Sequence, residues 1–176
     1  MSSEFTVREL RDAFGQFGTG VTVITAVGPR GEPVGITANS MTSVSLDPPL
    51  LLWCLANKSS STGAFAWHRR FNVHFLAEDQ EDLAMQYARP SHEKFEAGNG
   101  EDEPEEPAKL EGVLARLECQ VEALYPGGDH VIILGRVLGF ERFDRRPLLF
   151  HGGKFGQLGA LEPQPDFYPH VGDGWV

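Results

Sequence analysis

The chain has 176 residues and a mass of 19.4 kDa; 41% of its residues are hydrophobic and 23% are charged. This size and composition are typical of one globular domain with an ordinary core, and they exclude wholesale disorder and fibrous repeats. A formal net charge of −10 argues against nucleic acid or an anionic membrane as the main partner.

The negative charge is concentrated in one segment. Residues 93–111 hold eight acidic residues and two lysines, which is a balance of −6 out of the chain's −10. We therefore infer nothing about a substrate from the low pI, and we predict an acidic loop over residues 96–109. A tail over residues 161–176 is rich in proline, glycine and aromatic residues, and we predict that it is frayed or forms an arm onto another subunit.

The cysteines and the N-terminus indicate where the protein works. Cys54 and Cys119 form no CxxC pattern, so we expect two buried, reduced thiols. The N-terminal residues lack the basic and apolar regions of a signal peptide, and no apolar run approaches the ~18 residues of a membrane span. We expect a soluble, cytoplasmic protein.

The first predicted element is a helix. Thr6 and Glu9 have the spacing of a capping box at its start. Its apolar face is formed by Val7, Leu10, Phe14 and Phe17. We expect this face to cover a sheet.

Strands dominate the rest of the chain, with two further helices predicted over residues 63–69 and 78–88. We predict strands over residues 21–27, 34–46, 50–56, 71–77, 113–125, 131–140 and 147–150. The clearest is 113–125, where apolar and polar residues alternate, so one face is dry and the other wet. Because few helices separate these strands, we expect an antiparallel barrel of six or seven strands in one domain, residues 1–160.

The motifs of several enzyme classes are absent. There is no GxGxxG after a strand, no phosphate-binding GxxxxGK[ST], no GxSxG and no HExxH. The six histidines show no close ligand spacing, so we expect no metal.

Two polar stretches flank the apolar strand 50–56. Residues 35–40 (GITANS) are small enough for a flat ligand to approach, and residues 57–62 (NKSSST) offer hydroxyls, a lysine and a helix N-terminus to an anion. The ordinary alternatives are a strand bending at a barrel corner and a simple helix cap.

The order of the motifs resembles the short-chain flavin reductase family. The matching blocks are FGTGVTVIT at 17–25, GITANS at 35–40 and SVSLDPPL at 43–50. SST at 60–62, GDH at 128–130 and PLLFHGGKF at 147–155 follow in the family's order. The resemblance covers residues 7–158, and the family comprises reductase components of two-component flavin-dependent monooxygenases.

This resemblance implies a mainly β fold, the FMN-binding split barrel, with antiparallel Greek-key strands and a few flanking helices. It also implies a homodimer with the flavin near the subunit interface. The implied activity is an NAD(P)H-dependent reduction of FMN or FAD, with NADH or NADPH as the hydride donor. The reduced flavin would then pass to a separate monooxygenase.

The resemblance also implies site residues. The segment that lines the isoalloxazine ring with backbone groups comprises Thr37, Ala38, Asn39 and Ser40. The residues that hold the ribityl chain and phosphate are Leu55, Ala56, Lys58, Ser60, Ser61 and Thr62. His130 is the catalytic candidate beside the nicotinamide, and the NAD(P)H pocket also includes His151, Lys154 and Phe155.

The residues alone leave alternatives open. His130 could be a turn residue that bonds its own strand, and Lys154 a solvated turn lysine. The protein could be a flavin-binding carrier or sensor without NAD(P)H turnover, or an interaction barrel that works through its acidic loop. That loop is longer and more charged than the family pattern, and the tail has no counterpart in it.

Overall fold

The computed structural model describes residues 5–67, 70–89 and 106–160. The helices are α1 (Val7–Phe14), α2 (Thr62–Trp67) and α3 (Glu81–Ala88). The strands are β1 (Thr19–Gly20), β2 (Thr22–Val27), β3 (Pro33–Ala38), β4 (Thr42–Leu46), β5 (Pro49–Ala56), β6 (Arg70–Phe75), β7 (Ala115–Gly127), β8 (His130–Arg142), β9 (Leu148–His151) and β10 (Lys154–Gln157).

Seven strands form an antiparallel sheet in the order β3-β2-β6-β7-β8-β5-β4, and β1, β9 and β10 form a second sheet. Strand β5 lies between β4 and β8, so it pairs with β8 and not with β6, the next strand along the chain, which is a Greek-key arrangement. The two edge strands, β3 and β4, are joined by residues 39–41, so the sheet curls into a split barrel. This confirms the predicted fold, although the single strand expected over 34–46 is two strands.

The inside of the barrel is an apolar core built around three aromatic rings. The centroid of Trp53 lies 4.9 Å from that of Phe65 and 6.2 Å from that of Phe71. All three side chains are buried, and such rings contribute much of a core's apolar area. A Cβ atom on Gly135 would lie 2.5 Å from Phe71, so this position on β8 requires glycine.

A second apolar cluster covers the outer face of β2. It contains Val23, Leu76, Tyr87 and Leu148, which come from β2, the end of β6, α3 and β9. Because one cluster lies inside the barrel and the other outside, every residue of β2 is buried. This explains why its sequence is an unbroken run of β-branched and apolar residues.

Residues 107–110, here called the strap, cross the outer face of β2 and β6. Thr25 Oγ1 donates to Ala108 O at 2.7 Å, and Asn72 Nδ2 donates to Pro107 O at 2.9 Å. Both side chains are buried, so these bonds satisfy polar groups that would otherwise be costly.

His74 is the third buried side chain that holds the strap. Leu110 N donates to His74 Nε2 at 3.2 Å, so the ring proton is on Nδ1, which donates to Val23 O at 3.0 Å. Burial, the largest cause, lowers the pKa of His74 to about 4. His74 is therefore neutral near pH 7.

The structure corrects the expectation that the first helix covers a sheet. Helix α1 forms with both bonds of its capping box. However, Val7 is 74% exposed, Phe14 71% and Phe17 78%. The outer face of the barrel is already covered by α3, the strap and the small sheet, so α1 finds no apolar surface there.

The alternation predicted for 113–125 holds only in part. Strand β7 bulges between Val121 and Ala123, which changes the face that later residues present, and Tyr125 is exposed. Arg116, expected on the wet face, is buried beside the strap layer and pairs with Glu141.

Several other expectations can be placed. Of the predicted acidic loop, only residues 106–109 lie within the described residues, and Glu106 pairs there with Arg70 at 3.3 Å. The predicted tail, residues 161–176, lies outside the described residues. Both cysteines are free: Cys119 is buried, which raises its pKa to about 12, but Cys54 is only half-buried. No helix within the described ranges is long and apolar enough to cross a bilayer.

Candidate functional site

The end of β5 and the start of β8 bring predicted site residues together. Ala56 and His130 are directly opposite each other in the antiparallel register. Lys58 follows two residues after Ala56 in an exposed turn. These residues belong to two different predicted groups, the phosphate-binding segment and the nicotinamide site.

Ser40 connects the GITANS segment to the same strand. Its hydroxyl accepts from Cys54 N at 3.0 Å and donates to Cys54 O at 3.3 Å, two residues before Ala56. The hydroxyl thus replaces a backbone partner where the chain leaves β3 and enters β4. Asn39 beside it is exposed and reachable by a ligand.

Three predicted residues offer a ligand only their backbone. Thr37 Oγ1 donates to Ala84 O of α3 at 2.6 Å, so its hydroxyl serves packing. Ala38 and Leu55 pack with the core inside the barrel. This arrangement is compatible with a ring lined by backbone groups, and it removes these side chains from the site.

The serine-rich turn is partly self-bonded. Ser61 N donates to Ser59 Oγ at 3.2 Å, and Thr62 Oγ1 donates to Ser59 O at 2.9 Å. Helix α2, which follows, has six residues and therefore a weak dipole. The exposed Lys58 and Ser60 supply an ammonium and a hydroxyl, the donor chemistry that fits a flavin phosphate.

His130 has one ring nitrogen engaged by its sequence neighbour. His130 Nδ1 lies 2.7 Å from Asp129 Oδ1, and the histidine side chain is 42% exposed. This hydrogen bond is the main cause of a lowered pKa at Asp129, so the carboxylate is ionised and accepts the Nδ1 proton. In the neutral ring, Nε2 then carries the lone pair.

Sequence reasoning missed Asn57, which holds the turn before His130. Asn57 N donates to Asp129 O at 2.9 Å, and Asn57 Nδ2 donates to Gly128 O at 3.0 Å. In the sequence, Asn57 is only an asparagine directly after an apolar strand. That position predicts a loop and nothing about the turn before His130. Asp129 was read only as part of the GDH motif.

The other predicted nicotinamide residues lie in the second sheet. His151 and Lys154 are exposed and face each other across the β9–β10 hairpin. Phe155 is half-buried and packs edge-on against Phe150, with centroids 5.4 Å apart. His130 belongs to the seven-stranded sheet, so the four residues predicted for the NAD(P)H pocket are divided between two sheets.

A shallow cleft of about 160 Å³ lies where the two sheets meet. It includes Asn39 and Met41 beside Pro147, and its remaining walls are mostly apolar. Such walls suit a planar ring, but ligand pockets usually measure ~300–1,000 Å³, so the cleft does not enclose two nucleotides by itself.

Known proteins resemble the chain along most of its length. Residues 14–159 match the family model described as "Flavin reductase like domain". The chain is 45% identical over 151 residues to the FMN reductase (NADH) SmoA of Agrobacterium fabrum, with 86% of each protein covered. It is 47% identical over 137 residues to a probable flavin reductase of Rhizobium meliloti, which covers 78% of this chain but only 44% of that longer relative.

A solved structure gives the same picture. The NADH:FAD oxidoreductase SgcE6 of Streptomyces globisporus, in complex with NAD and FAD fragments, superimposes with a TM-score of 0.78 at 40% identity. The superposition covers 86% of this chain and 92% of that one.

Proposed function

The chain belongs to the flavin reductase-like family, and we propose that it transfers a hydride from NADH or NADPH to FMN or FAD. The observation that carries this proposal is the meeting of Ser40, Ala56 and His130 at β5 within a chain of that family: Ser40 bonds Cys54 of this strand, and His130 pairs with Ala56. Relatives named as an NADH-dependent FMN reductase and an NADH:FAD oxidoreductase support it.

The protein's part in this reaction is to hold two planar rings in contact. The bound flavin supplies the electron-accepting ring. Lys58 and Ser60 bind phosphate oxygens, and the backbone of 37–40 borders the ring. Rings held face to face at ~3–3.5 Å need little further chemistry from side chains. This agrees with the sequence, which contains no motif for a catalytic nucleophile such as GxSxG.

His130 has a separate part in this proposal. Its Nδ1 is held by Asp129. The other ring nitrogen, Nε2, is therefore the one that remains for a ligand. We assign to this nitrogen the contact with the nicotinamide and the relay of the proton that accompanies the hydride.

We further propose that the protein is a homodimer. The exposed apolar face of α1 supports this, since Val7, Phe14 and Phe17 are each more than two-thirds exposed in the single chain. Light scattering should show a mass near twice 19.4 kDa, and Phe14→Glu should shift it toward the monomer.

The remaining assignments are also proposals. Residues 1–160 form one domain, the protein works in the cytoplasm, and the reduced flavin passes to a separate monooxygenase. The names of several relatives as reductase components of flavin-dependent monooxygenases support the last point.

The decisive experiment is a steady-state assay that crosses FMN and FAD with NADH and NADPH. We expect at least one combination to oxidise the nicotinamide well above the uncatalysed rate. A background rate in all four would show the proposal to be wrong. Tight, stoichiometric flavin on the purified protein without nicotinamide oxidation would support a carrier or sensor instead.

A further inference from the structure

The turn between β7 and β8 is held more firmly than a two-residue hairpin requires. Gly127 pairs with His130 across the turn, and Gly128 takes a φ of +73°. Asn57, the residue directly after the neighbouring strand β5, donates to the carbonyl oxygens of both turn residues. The turn is therefore fixed to β5 by two bonds from one residue.

This attachment places Asp129 beside the imidazole. Asp129 is 94% exposed, so nothing buries its carboxylate, yet its Oδ1 lies 2.7 Å from His130 Nδ1. The nearby charge of Lys58 also favours the ionised carboxylate. An ionised carboxylate can only accept a hydrogen bond, so it requires the proton on Nδ1.

From this geometry we propose that Asp129, held in place by Asn57, is a positioning residue that fixes the tautomer and orientation of His130. The proposal deepens the proposed function and rests on it for the role of His130. Asp129 touches neither substrate nor cofactor in this account. It acts by keeping a lone pair on Nε2, the nitrogen that faces the nicotinamide in our assignment.

The protonation state of the ring can be measured without turnover. A long-range ¹H–¹⁵N correlation spectrum of the full chain distinguishes a histidine protonated on Nδ1 from one protonated on Nε2. We expect His130 to be protonated on Nδ1 in the wild type and largely on Nε2 in Asp129→Ala. Asp129→Asn should restore the Nδ1 form in part, because its amide oxygen still accepts.

The kinetic effect should depend on His130. We expect Asp129→Ala to lower kcat/KM about tenfold, at the lower end of what removing an outer-shell partner costs, and mostly through kcat. In a His130→Ala background the same substitution should have no further effect, because both variants remove one function. Asn57→Ala should act in the same direction with a smaller loss.

Asp79→Ala is the matched control, since Asp79 is another exposed carboxylate, and its partner Arg145 follows the opposite end of β8 from His130. It should change neither the His130 tautomer nor kcat/KM. An unchanged tautomer and an unchanged kcat/KM in Asp129→Ala would overturn the proposal, and so would equal losses with and without His130. If the tautomer shifts but the wild type oxidises no nicotinamide, positioning stands and the proposed function fails.

Discussion

Two histidines in this barrel have the same first hydrogen bond and opposite surroundings. In both His74 and His130, Nδ1 bonds an oxygen, at 3.0 and 2.7 Å. The second nitrogen differs: His74 Nε2 accepts from Leu110 N inside the protein, and His130 lies in a half-exposed site. A histidine with both nitrogens held by backbone is structural, and one with a nitrogen open to a ligand can take part in chemistry.

The charges around the two histidines differ in the same way as their hydrogen bonds. Burial lowers the pKa of His74 to about 4, so it does not carry a proton near pH 7. His130 instead lies next to a carboxylate whose own pKa is lowered by their hydrogen bond.

Replacing His74 by alanine should cause the largest loss of stability. The change leaves a cavity where the fully buried imidazole was and removes the partner of the half-buried Leu110 N–H. Removing a large buried side chain costs about 3–5 kcal/mol, so urea unfolding should show a free-energy loss of about 3 kcal/mol or more. His130→Ala is the control and should stay within about 0.5 kcal/mol of the wild type.

Equal losses for the two histidines would contradict the comparison. So would a His74→Ala protein with wild-type stability. In either case the strap would be held by something other than the imidazole.

The wild type should also become less stable as the pH falls, because of His74. Above pH 6.5 the residue is neutral in both states; below it the unfolded chain binds a proton that the folded protein does not bind until about pH 4. The difference between a pKa of 6.5 in the unfolded chain and about 4 in the folded protein corresponds to a loss of about 3 kcal/mol in the free energy of unfolding between these two pH values, and the loss levels off below pH 4. His74→Asn should lack this part of the slope when both proteins are unfolded by urea from pH 7.5 to 4.

Most of the secondary structure could be predicted from the sequence. Periodicity identified most strands and the capped helix α1, because alternation and caps are local signals. It missed β1 and β10, which are short and glycine-containing. The exposure of α1 could not be foreseen, since it depends on which elements already cover the outer face of the barrel.

The site was predicted unevenly for the same reason. His130 was predicted from the order of motifs, whereas nothing in the strand around His74 distinguishes it from any buried residue. Asp129 and Asn57 become visible only when β5 lies beside β8, a long-range pairing that no local pattern encodes. Thr37 was predicted to line the ring through its backbone, and no local pattern indicated that its hydroxyl would bond α3.

Replacing His130 by alanine should lower activity without unfolding the protein. A positioned proton-transfer group contributes about 10²–10⁴-fold, so kcat/KM should fall about 100-fold, or about 2.7 kcal/mol. Steady-state kinetics with the preferred flavin and nicotinamide would measure it. Unchanged kcat/KM would reduce His130 to the turn residue that the sequence left open, and the two histidines would then both be structural.

The smallest effects should separate a buried anchor of the strap from an exposed ion pair on Glu106, the residue before the strap. Thr25 is fully buried, and Thr25→Val leaves the Ala108 carbonyl without its hydroxyl donor, so the free energy of unfolding should fall by about 1–2 kcal/mol. Arg70→Ala removes an ion pair to Glu106 whose side chains are 57% and 65% exposed, and it should cost less than about 0.5 kcal/mol. Urea unfolding at pH 7.5 compares the two. A larger loss for Arg70→Ala would mean that surface charge holds the strap, and the buried polar groups, His74 included, would then have a smaller part in stability than their geometry indicates.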